Sequence, residues 1–210
     1  MSLYRRLQRA YGPQDWWPAD TPFEVMVGAV LTQNTAWINV ERAIANLKAQ
    51  HCLTPDGILV LPPGQLAGHI RPSGYFNVKA RRLRNLCQWV IDSGGLRAIR
   101  RRKTAALRAE LLEVNGVGPE TADDILLYAF DRPVFVIDAY TRRLLRRLEW
   151  ADGDEDYETL RAAFENVLPP DATLFNEYHA LIVRHAKETC TERRGCRHCG
   201  VEGRLPTTSF

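Results

Sequence analysis

The 210-residue sequence predicts an all-α protein, and three observations support this fold class. Apolar residues recur at the three- and four-residue spacing of helices along most of the chain, most clearly over residues 78–91. The one strand-like run, residues 134–137, is too isolated to form a sheet. Hydrophobic residues make up 45% of the chain and charged residues 25%, which is the composition of a globular protein with a core.

Local signals set the boundaries of roughly nine or ten helices. Pro119 suits the first position of a helix, where no backbone N–H is needed. A polar step, Thr32-Gln33-Asn34-Thr35, separates two helices, and Asn115-Gly116 ends another. The predicted helices cover residues 22–31, 37–47, 63–70, 78–91, 105–114, 121–129, 139–148, 157–167 and 174–187.

The first and last helices flank a central block, which suggests two lobes. The central lobe is predicted over residues 21–136, and the second lobe combines residues 1–20 with residues 137–210. The periodicity alone does not establish this division.

Charge and hydropathy exclude only a few classes of protein. There are 28 Lys and Arg against 25 Asp and Glu, and a net charge of +3 does not by itself identify a polyanionic partner. The longest apolar run, residues 25–31, is too short for a membrane span, and the first residues lack the apolar region of a secretion signal. We expect a cytoplasmic protein, nucleoid-associated in a bacterium.

The strongest local motif is a helix-hairpin-helix over residues 111–122, called the hairpin below. Gly116 and Gly118 allow the backbone to turn sharply and to approach another chain closely. Free N–H groups at the start of the second helix suit a phosphate, and such contacts position a protein on DNA without reading its sequence. A plain corner between two helices is the alternative, since glycine is convenient there as well.

An aspartate, Asp138, ends the apolar run at residues 134–137 and begins the next helix. Aspartate caps helices well, so a purely structural role fits. A carboxylate at the mouth of a cleft fits equally, because a capping side chain keeps its second oxygen available. The sequence alone leaves both roles open.

The hairpin and the downstream aspartate together resemble the helix-hairpin-helix, Gly/Pro, Asp superfamily of DNA base-excision glycosylases, the relatives of endonuclease III. The resemblance covers nearly the whole chain and implies an all-α, two-lobed fold that binds damaged double-stranded DNA as a monomer. It implies that Asp138 is catalytic and that Gln33 enters the gap left by an extruded base. The residues implied to contact DNA are Gln33, Asn34, Gly116, Gly118 and Thr121.

Glu120 departs from the bifunctional members of the superfamily, in which a lysine at this position attacks the sugar and forms a Schiff base. A carboxylate cannot form an imine, so the resemblance implies a monofunctional glycosylase, in which Asp138 stabilises the oxocarbenium-like sugar and orients or deprotonates water. Lys103 and Lys187 are not at the matching position, although the sequence does not exclude them as substitutes. Glu120 itself either favours its helix start electrostatically or lies in the base pocket.

Within the superfamily, the chain is most similar to the endonuclease III-like 3-methyladenine glycosylases. In that group a Trp-Trp-Pro segment, an aromatic residue after the polar step and a lysine line the base pocket. Aromatic rings attract a positively charged alkylpurine, which leaves without protonation by a general acid. The alternative for the two adjacent tryptophans is packing within a lobe. The implied pocket residues are Trp16, Trp17, Pro18, Trp37, Lys187 and, less directly, Glu120, and the matching segments are residues 16–18, 23–24, 28–35, 70–77, 79–80 and 120–123.

Three of the five cysteines, Cys190, Cys196 and Cys199, lie within ten residues of each other. Relatives of endonuclease III carry a four-cysteine loop for a 4Fe–4S cluster there, but Leu205 stands near the place of the fourth cysteine. Three interpretations fit: a cluster with an unusual fourth ligand, a zinc site completed by His185, and a remnant loop without metal.

Several basic clusters favour a DNA-facing groove with salt-sensitive affinity. The clusters are Arg81, Arg82 and Arg84; residues 100–103; Arg142, Arg143, Arg146 and Arg147; and Arg193, Arg194, Arg197 and Arg204.

Three other functions are considered. The first is a bifunctional enzyme for oxidised pyrimidines, against which Glu120 argues, and the second is a mismatch glycosylase. The third is a non-catalytic module that senses lesions, against which Asp138 argues.

Overall fold

The computed structural model describes residues 2–190, which form twelve α-helices, a 3-10 turn and a π-helical turn, with no strand within that range. The all-α prediction is confirmed. The α-helices are α1 (Ser2–Tyr11), α2 (Pro22–Leu31), α3 (Trp37–Ala49), α4 (Pro55–Val60), α5 (Pro63–His69), α6 (Phe76–Asp92), α7 (Leu96–Ile99), α8 (Thr104–Glu113), α9 (Pro119–Asp124), α10 (Ala139–Arg147), α11 (Tyr157–Val167) and α12 (Ala172–Glu188).

The nine predicted helices are present, with small shifts at their ends. Three further helices are present in the described chain. α1, with ten residues, corresponds to the first helix that the sequence placed before the central block, whereas α4 and α7 have six and four residues, which is too short for a readable period. Residues 125–129, predicted as the end of one helix, form the π-helical turn. The strand-like residues 134–137 are buried but join no sheet in the described part of the chain. None of the described helices is long and apolar enough to cross a membrane.

The chain divides into two compact units. The hairpin unit is Ala19–Phe130, and the terminal unit combines Met1–Pro18 with the chain from Asp131 onward. The boundaries therefore lie at residues 18/19 and 130/131, whereas the sequence suggested 20/21 and 136/137. Phe135 explains the larger difference, because its ring stacks at 4.0 Å on Phe164 and so belongs to the terminal unit.

The core of the hairpin unit is built around α2, in which every residue from Phe23 to Leu31 is buried. Lys79 is also fully buried, and its Nζ donates to Leu31 O at 2.8 Å and to Ser73 O at 2.7 Å. Burial lowers the pKa of Lys79 to about 8. The ammonium group supplies donors to carbonyls that water cannot reach, including the last carbonyl of α2.

A buried ion pair braces the two helices of the hairpin. Arg108 on α8 donates through Nε and Nη2 to the carboxylate oxygens of Asp123 on α9, at 2.7 Å and 3.0 Å. The Asp123 side chain is completely buried. The bidentate geometry fixes both the spacing and the rotation of the two helices.

Replacing Arg108 is therefore expected to destabilise the protein strongly. Arg108→Ala leaves a buried carboxylate without its main partner, which costs about 3–5 kcal/mol of unfolding free energy. Urea denaturation at neutral pH measures the loss. Arg101→Ala is the control, because Arg101 is exposed, and a surface change of this kind shifts stability by about 0.5 kcal/mol or less. Equal unfolding free energies of the two variants would contradict the stabilising role of the Arg108–Asp123 ion pair.

Candidate active site

The hairpin turn contains two glycines with different backbone conformations. Gly116 has φ of +102°, in the region that favours glycine, whereas Gly118 is extended and precedes the first turn of α9. Val117 N donates to Val114 O at 2.9 Å and closes the turn. Pro119 occupies the first position of α9, as predicted from its missing N–H.

Gln33 is held firmly within the hairpin unit. Its Nε2 donates to Thr121 Oγ1 at 2.9 Å and to Gly116 O at 3.2 Å, and its Oε1 accepts a hydrogen bond from Arg82 Nη1. Asn34, the next residue of the polar step, is exposed and has φ of +54°. The structure thus brings together Gln33, Gly116 and Thr121, which the sequence grouped only by resemblance.

Asp138 caps α10, and its other carboxylate oxygen faces a histidine. Asp138 Oδ1 accepts from Thr141 N at 2.7 Å, and Oδ2 lies 3.5 Å from His179 Nε2 on α12. The Asp138 side chain keeps 14% of its surface exposed. The two roles that the sequence left open are therefore compatible, since the capping bond uses one oxygen only.

The electrostatics around Asp138 keep the carboxylate ionised. Burial alone would raise the pKa of Asp138, but the proximity of His179 Nε2 and the hydrogen bond from Thr141 N outweigh it and lower the pKa below its usual range. Burial and the negative charge of Asp138 raise the pKa of Tyr140. Lys187 Nζ lies 5.3 Å from the Tyr140 ring centroid, and partial burial lowers the pKa of Lys187 against the opposing effect of Asp138.

A cavity of about 200 Å³ lies in the terminal unit, and two of the predicted pocket residues line it. Trp16 comes from the segment before α2 and Lys187 from the last turn of α12. The Trp16 and Trp17 ring centroids are 5.4 Å apart, with the planes tilted by 46°. The lining residues are Gln14, Trp16, Ala180, Val183, Arg184 and Lys187, together with Glu188.

The other predicted pocket residues do not line this cavity. Trp17 is half-buried beside Trp16, and Pro18 is exposed. Trp37 and Glu120 belong to the hairpin unit. Trp37 Nε1 donates to Glu41 at 2.8 Å, and Glu120 is exposed in the first turn of α9, where a carboxylate favours the helix start.

Several arginines of the basic clusters have a structural role that their clustering does not predict. Their guanidinium groups donate to backbone carbonyls within their own unit and so stabilise loops and helix ends. Arg84 binds the carbonyls of Ile58, Leu59 and Leu61, Arg142 those of Gly153 and Glu155, Arg143 those of Ala186 and Cys190, and Arg146 that of Asp152.

The cysteine loop lies mostly outside the described residues, because only Cys190 precedes residue 191. Cys190 is buried, and Cys196 and Cys199 fall in the part not described. Within residues 2–190, no group of three or more His, Cys, Asp or Glu side chains is placed to hold a metal. The sequence offers three thiolates there, so its donor set does not fit a four-cysteine cluster.

His185, the predicted fourth zinc ligand, is fully buried. Its Nδ1 lies 2.9 Å from Tyr11 Oη, and its Nε2 is buried without a hydrogen-bond partner in the described chain. Burial lowers the pKa of His185 and so favours the neutral ring. The zinc interpretation stays a prediction, because the cysteines it needs lie outside the described residues.

The sequence did not predict the roles of three residues that hold the hairpin or a predicted site residue in place within their own unit: Arg82, Arg108 and His179. Arg82 was grouped with a basic cluster, although it contacts Gln33, 49 positions away. His179 approaches Asp138 from another helix. The available signal for Arg82 was its spacing on α6, three residues after Lys79 and three before Asn85, which places all three on one side of the helix.

The lowered pKa of Asp138 predicts a specific pH dependence of stability. The ionised carboxylate contributes stability that is fully present above the unfolded pKa, about 3.9, and is lost as the pH falls through the lower folded pKa. Asp138→Asn keeps a residue that caps helices but removes the charge. Urea denaturation from pH 7 to pH 3 should give the wild type a larger free energy of unfolding than this variant at pH 7. The difference in unfolding free energy should shrink as the pH falls. A difference that does not change with pH would contradict the assignment.

Comparisons with known proteins identify the family of this chain. Residues 27–170 match the family of HhH-GPD superfamily base excision DNA repair proteins. A Methanocaldococcus jannaschii protein, provisionally named a DNA repair glycosylase, is 47% identical over 95% of this chain and 92% of its own length. Endonuclease III of Thermotoga maritima is 28% identical over 85% of this chain and 79% of its own length.

Two solved structures show the same fold. The H. pylori 3-methyladenine DNA glycosylase MagIII, bound to 1,N6-ethenoadenine, has a TM-score of 0.75 and 31% identity, covering 89% of this chain and 97% of its own. A non-covalent complex of endonuclease III with DNA has a TM-score of 0.81 and 21% identity, covering 94% of this chain and 89% of its own. The chain therefore belongs to the HhH-GPD superfamily of base excision DNA repair proteins, as its hairpin and Asp138 predicted.

Proposed function

We propose that this protein is a monofunctional DNA glycosylase that releases alkylated purines such as 3-methyladenine from double-stranded DNA. One observation carries the proposal: Glu120, a carboxylate, stands where bifunctional members of the superfamily have a nucleophilic lysine. Asp138 supplies the anion that remains, with Oδ1 bound to Thr141 N and Oδ2 3.5 Å from His179 Nε2. The 31% identical H. pylori enzyme, a 3-methyladenine glycosylase, supports the substrate class.

The chemistry requires one anion beside the sugar. As the C1′–N bond breaks, its electron pair leaves with the base, and the sugar develops the positive charge of an oxocarbenium ion. Asp138 Oδ2 stabilises this charge, since Oδ1 is engaged with Thr141 N. Water then adds its oxygen to C1′ and gives a proton to the carboxylate or to solvent, leaving an abasic sugar and the free base. No step passes through the cysteine loop.

The aromatic residues suit the proposed base. An alkylated purine such as 3-methyladenine carries a positive charge in DNA and is attracted to the face of an indole ring. Trp16 lines a cavity in the terminal unit, and Trp17 is adjacent to it. Because such a base is already a good leaving group, the site needs no general acid to protonate it.

The test separates base release from strand cleavage. Duplexes carrying 3-methyladenine or thymine glycol are incubated with the protein, and the products are analysed with and without alkali. We expect release of the alkylpurine, with strand breaks only after alkali, and no adduct trapped by borohydride. Strand breaks without alkali on thymine glycol would instead establish a bifunctional enzyme for oxidised pyrimidines.

A charge-reversal variant tests whether a side chain at position 120 can reach the sugar, and the same change at position 113 is its control. Glu120→Lys places an amine at the position of the Schiff-base lysine and is expected to give an adduct that borohydride traps on damaged DNA. Glu113→Lys makes the same change of charge at an exposed residue elsewhere in the hairpin and should give none. Equal trapping by both variants would show that position 120 has no special access to the sugar.

A further inference from the structure

We propose that Arg82 is a positioning residue that holds Gln33 against the hairpin, so that the polar step and the hairpin meet damaged DNA as one preassembled surface. The inference rests on the proposed function, because it takes a duplex with an extruded base as the ligand of both segments. It concerns only the hairpin unit, to which all the residues involved belong.

One side of α6 organises both segments. Lys79, Arg82 and Asn85 follow each other at intervals of three residues and therefore lie along the same side of the helix. Lys79 binds the carbonyl of Leu31, two residues before Gln33. Asn85 Nδ2 binds the carbonyl of Asn115 in the hairpin turn at 3.0 Å. Arg82 lies between these two attachments and contacts the polar step and the hairpin together.

The contacts fix which way the Gln33 carboxamide points. Arg82 has only donors, so it must face the amide oxygen, and the Gly116 carbonyl has only lone pairs, so it must face the amide nitrogen. Thr121 Oγ1 accepts the second hydrogen-bond contact from Nε2. The surroundings of the amide therefore set its orientation.

Gly116 and Arg82 also fit each other sterically. A Cβ atom added at Gly116 would lie 2.2 Å from Arg82 Cγ, so the side chain of Arg82 passes through the space that any other residue would fill. This close approach is a second reason for glycine at the position, besides its φ of +102°. The stem of Arg82 is therefore packed on the turn while its guanidinium holds Gln33.

Preorganisation of Gln33 has a measurable consequence. A free glutamine side chain loses rotamer freedom when it is ordered, and a side chain held in place before binding avoids much of this loss. Removing the guanidinium of Arg82 should therefore weaken binding wherever Gln33 fills a gap in the duplex. Binding to intact duplex should change only as much as the loss of any one positive charge requires.

The experiment compares Arg82→Met with Arg81→Met. Methionine keeps an unbranched stem against Gly116 and removes the donors, and Arg81 is an exposed neighbour on α6 that loses the same charge. Fluorescence anisotropy measures the Kd for a duplex with a tetrahydrofuran abasic analogue and for the undamaged duplex. We expect Arg82→Met to reduce the preference for the analogue roughly tenfold and Arg81→Met to leave this preference unchanged.

A double-mutant cycle with Gln33→Met assigns the effect to the contact. If Arg82 acts through Gln33, the double variant should lose no more preference than Gln33→Met alone. Arg82→Lys retains a donor for Gln33 Oε1 and should recover most of the preference. It also keeps the inference testable if Arg82→Met fails to fold.

The outcomes separate the inference from the proposed function. Equal preferences of Arg82→Met and Arg81→Met, or additive losses in the cycle, would overturn the positioning role while the wild type still releases alkylpurines. A wild type that neither prefers the abasic analogue nor releases a base would overturn the proposed function and the inference with it.

Discussion

The hydrogen bond from Thr141 N to Asp138 Oδ1 is the constraint on which the proposed chemistry depends. It begins α10, fixes the rotamer of the carboxylate and leaves the second oxygen facing His179. The same bond helps to keep the carboxylate ionised despite its burial. One contact therefore serves the fold and prepares a negative charge in a partly dehydrated place, where it acts more strongly than in water.

In the hairpin unit, other polar side chains likewise fix the positions of helices and turns by hydrogen bonds. Arg108 and Asp123 fix α8 against α9, and Lys79, Arg82 and Asn85 attach the polar step and the turn to α6. These groups are hydrogen-bonded charges or amides in partly or wholly buried positions, where a missing partner would be costly. The hairpin unit thus holds the polar step and the hairpin turn in fixed positions. In the proposed complex with DNA, this preorganisation limits the side-chain freedom that is lost on binding.

Much of the fold was accessible from the sequence because it rests on local patterns. The three- and four-residue periodicity gave the long helices, and the proline at position 119 and the capping Asp138 marked helix starts that the structure confirms. Short α4 and α7 lack enough turns to show a period. The lobe boundary near residue 130 depends on Phe135 stacking with Phe164, a tertiary contact that no local pattern encodes.

The candidate site was predictable only where a motif carried it. The family resemblance predicted a catalytic role for Asp138 and a DNA contact for Gln33, and a local motif predicted the hairpin turn. His179 and Arg82 instead reach their partners across long sequence separations. The arginine clusters illustrate the same limit. The sequence predicted a DNA-facing groove from clusters that include Arg84, Arg142 and Arg143. Their guanidinium groups bind backbone carbonyls that only the folded chain brings near.

The most direct test of the account is single-turnover release of 3-methyladenine from duplex DNA by the wild type and by Asp138→Asn. Asparagine keeps the helix cap, so both proteins should have the same helical circular dichroism spectrum and similar affinity for a duplex with the abasic analogue. The account predicts that the variant loses release by at least about a hundredfold, the scale of removing one electrostatic stabiliser of a transition state. Release at the wild-type rate by a folded variant would contradict it.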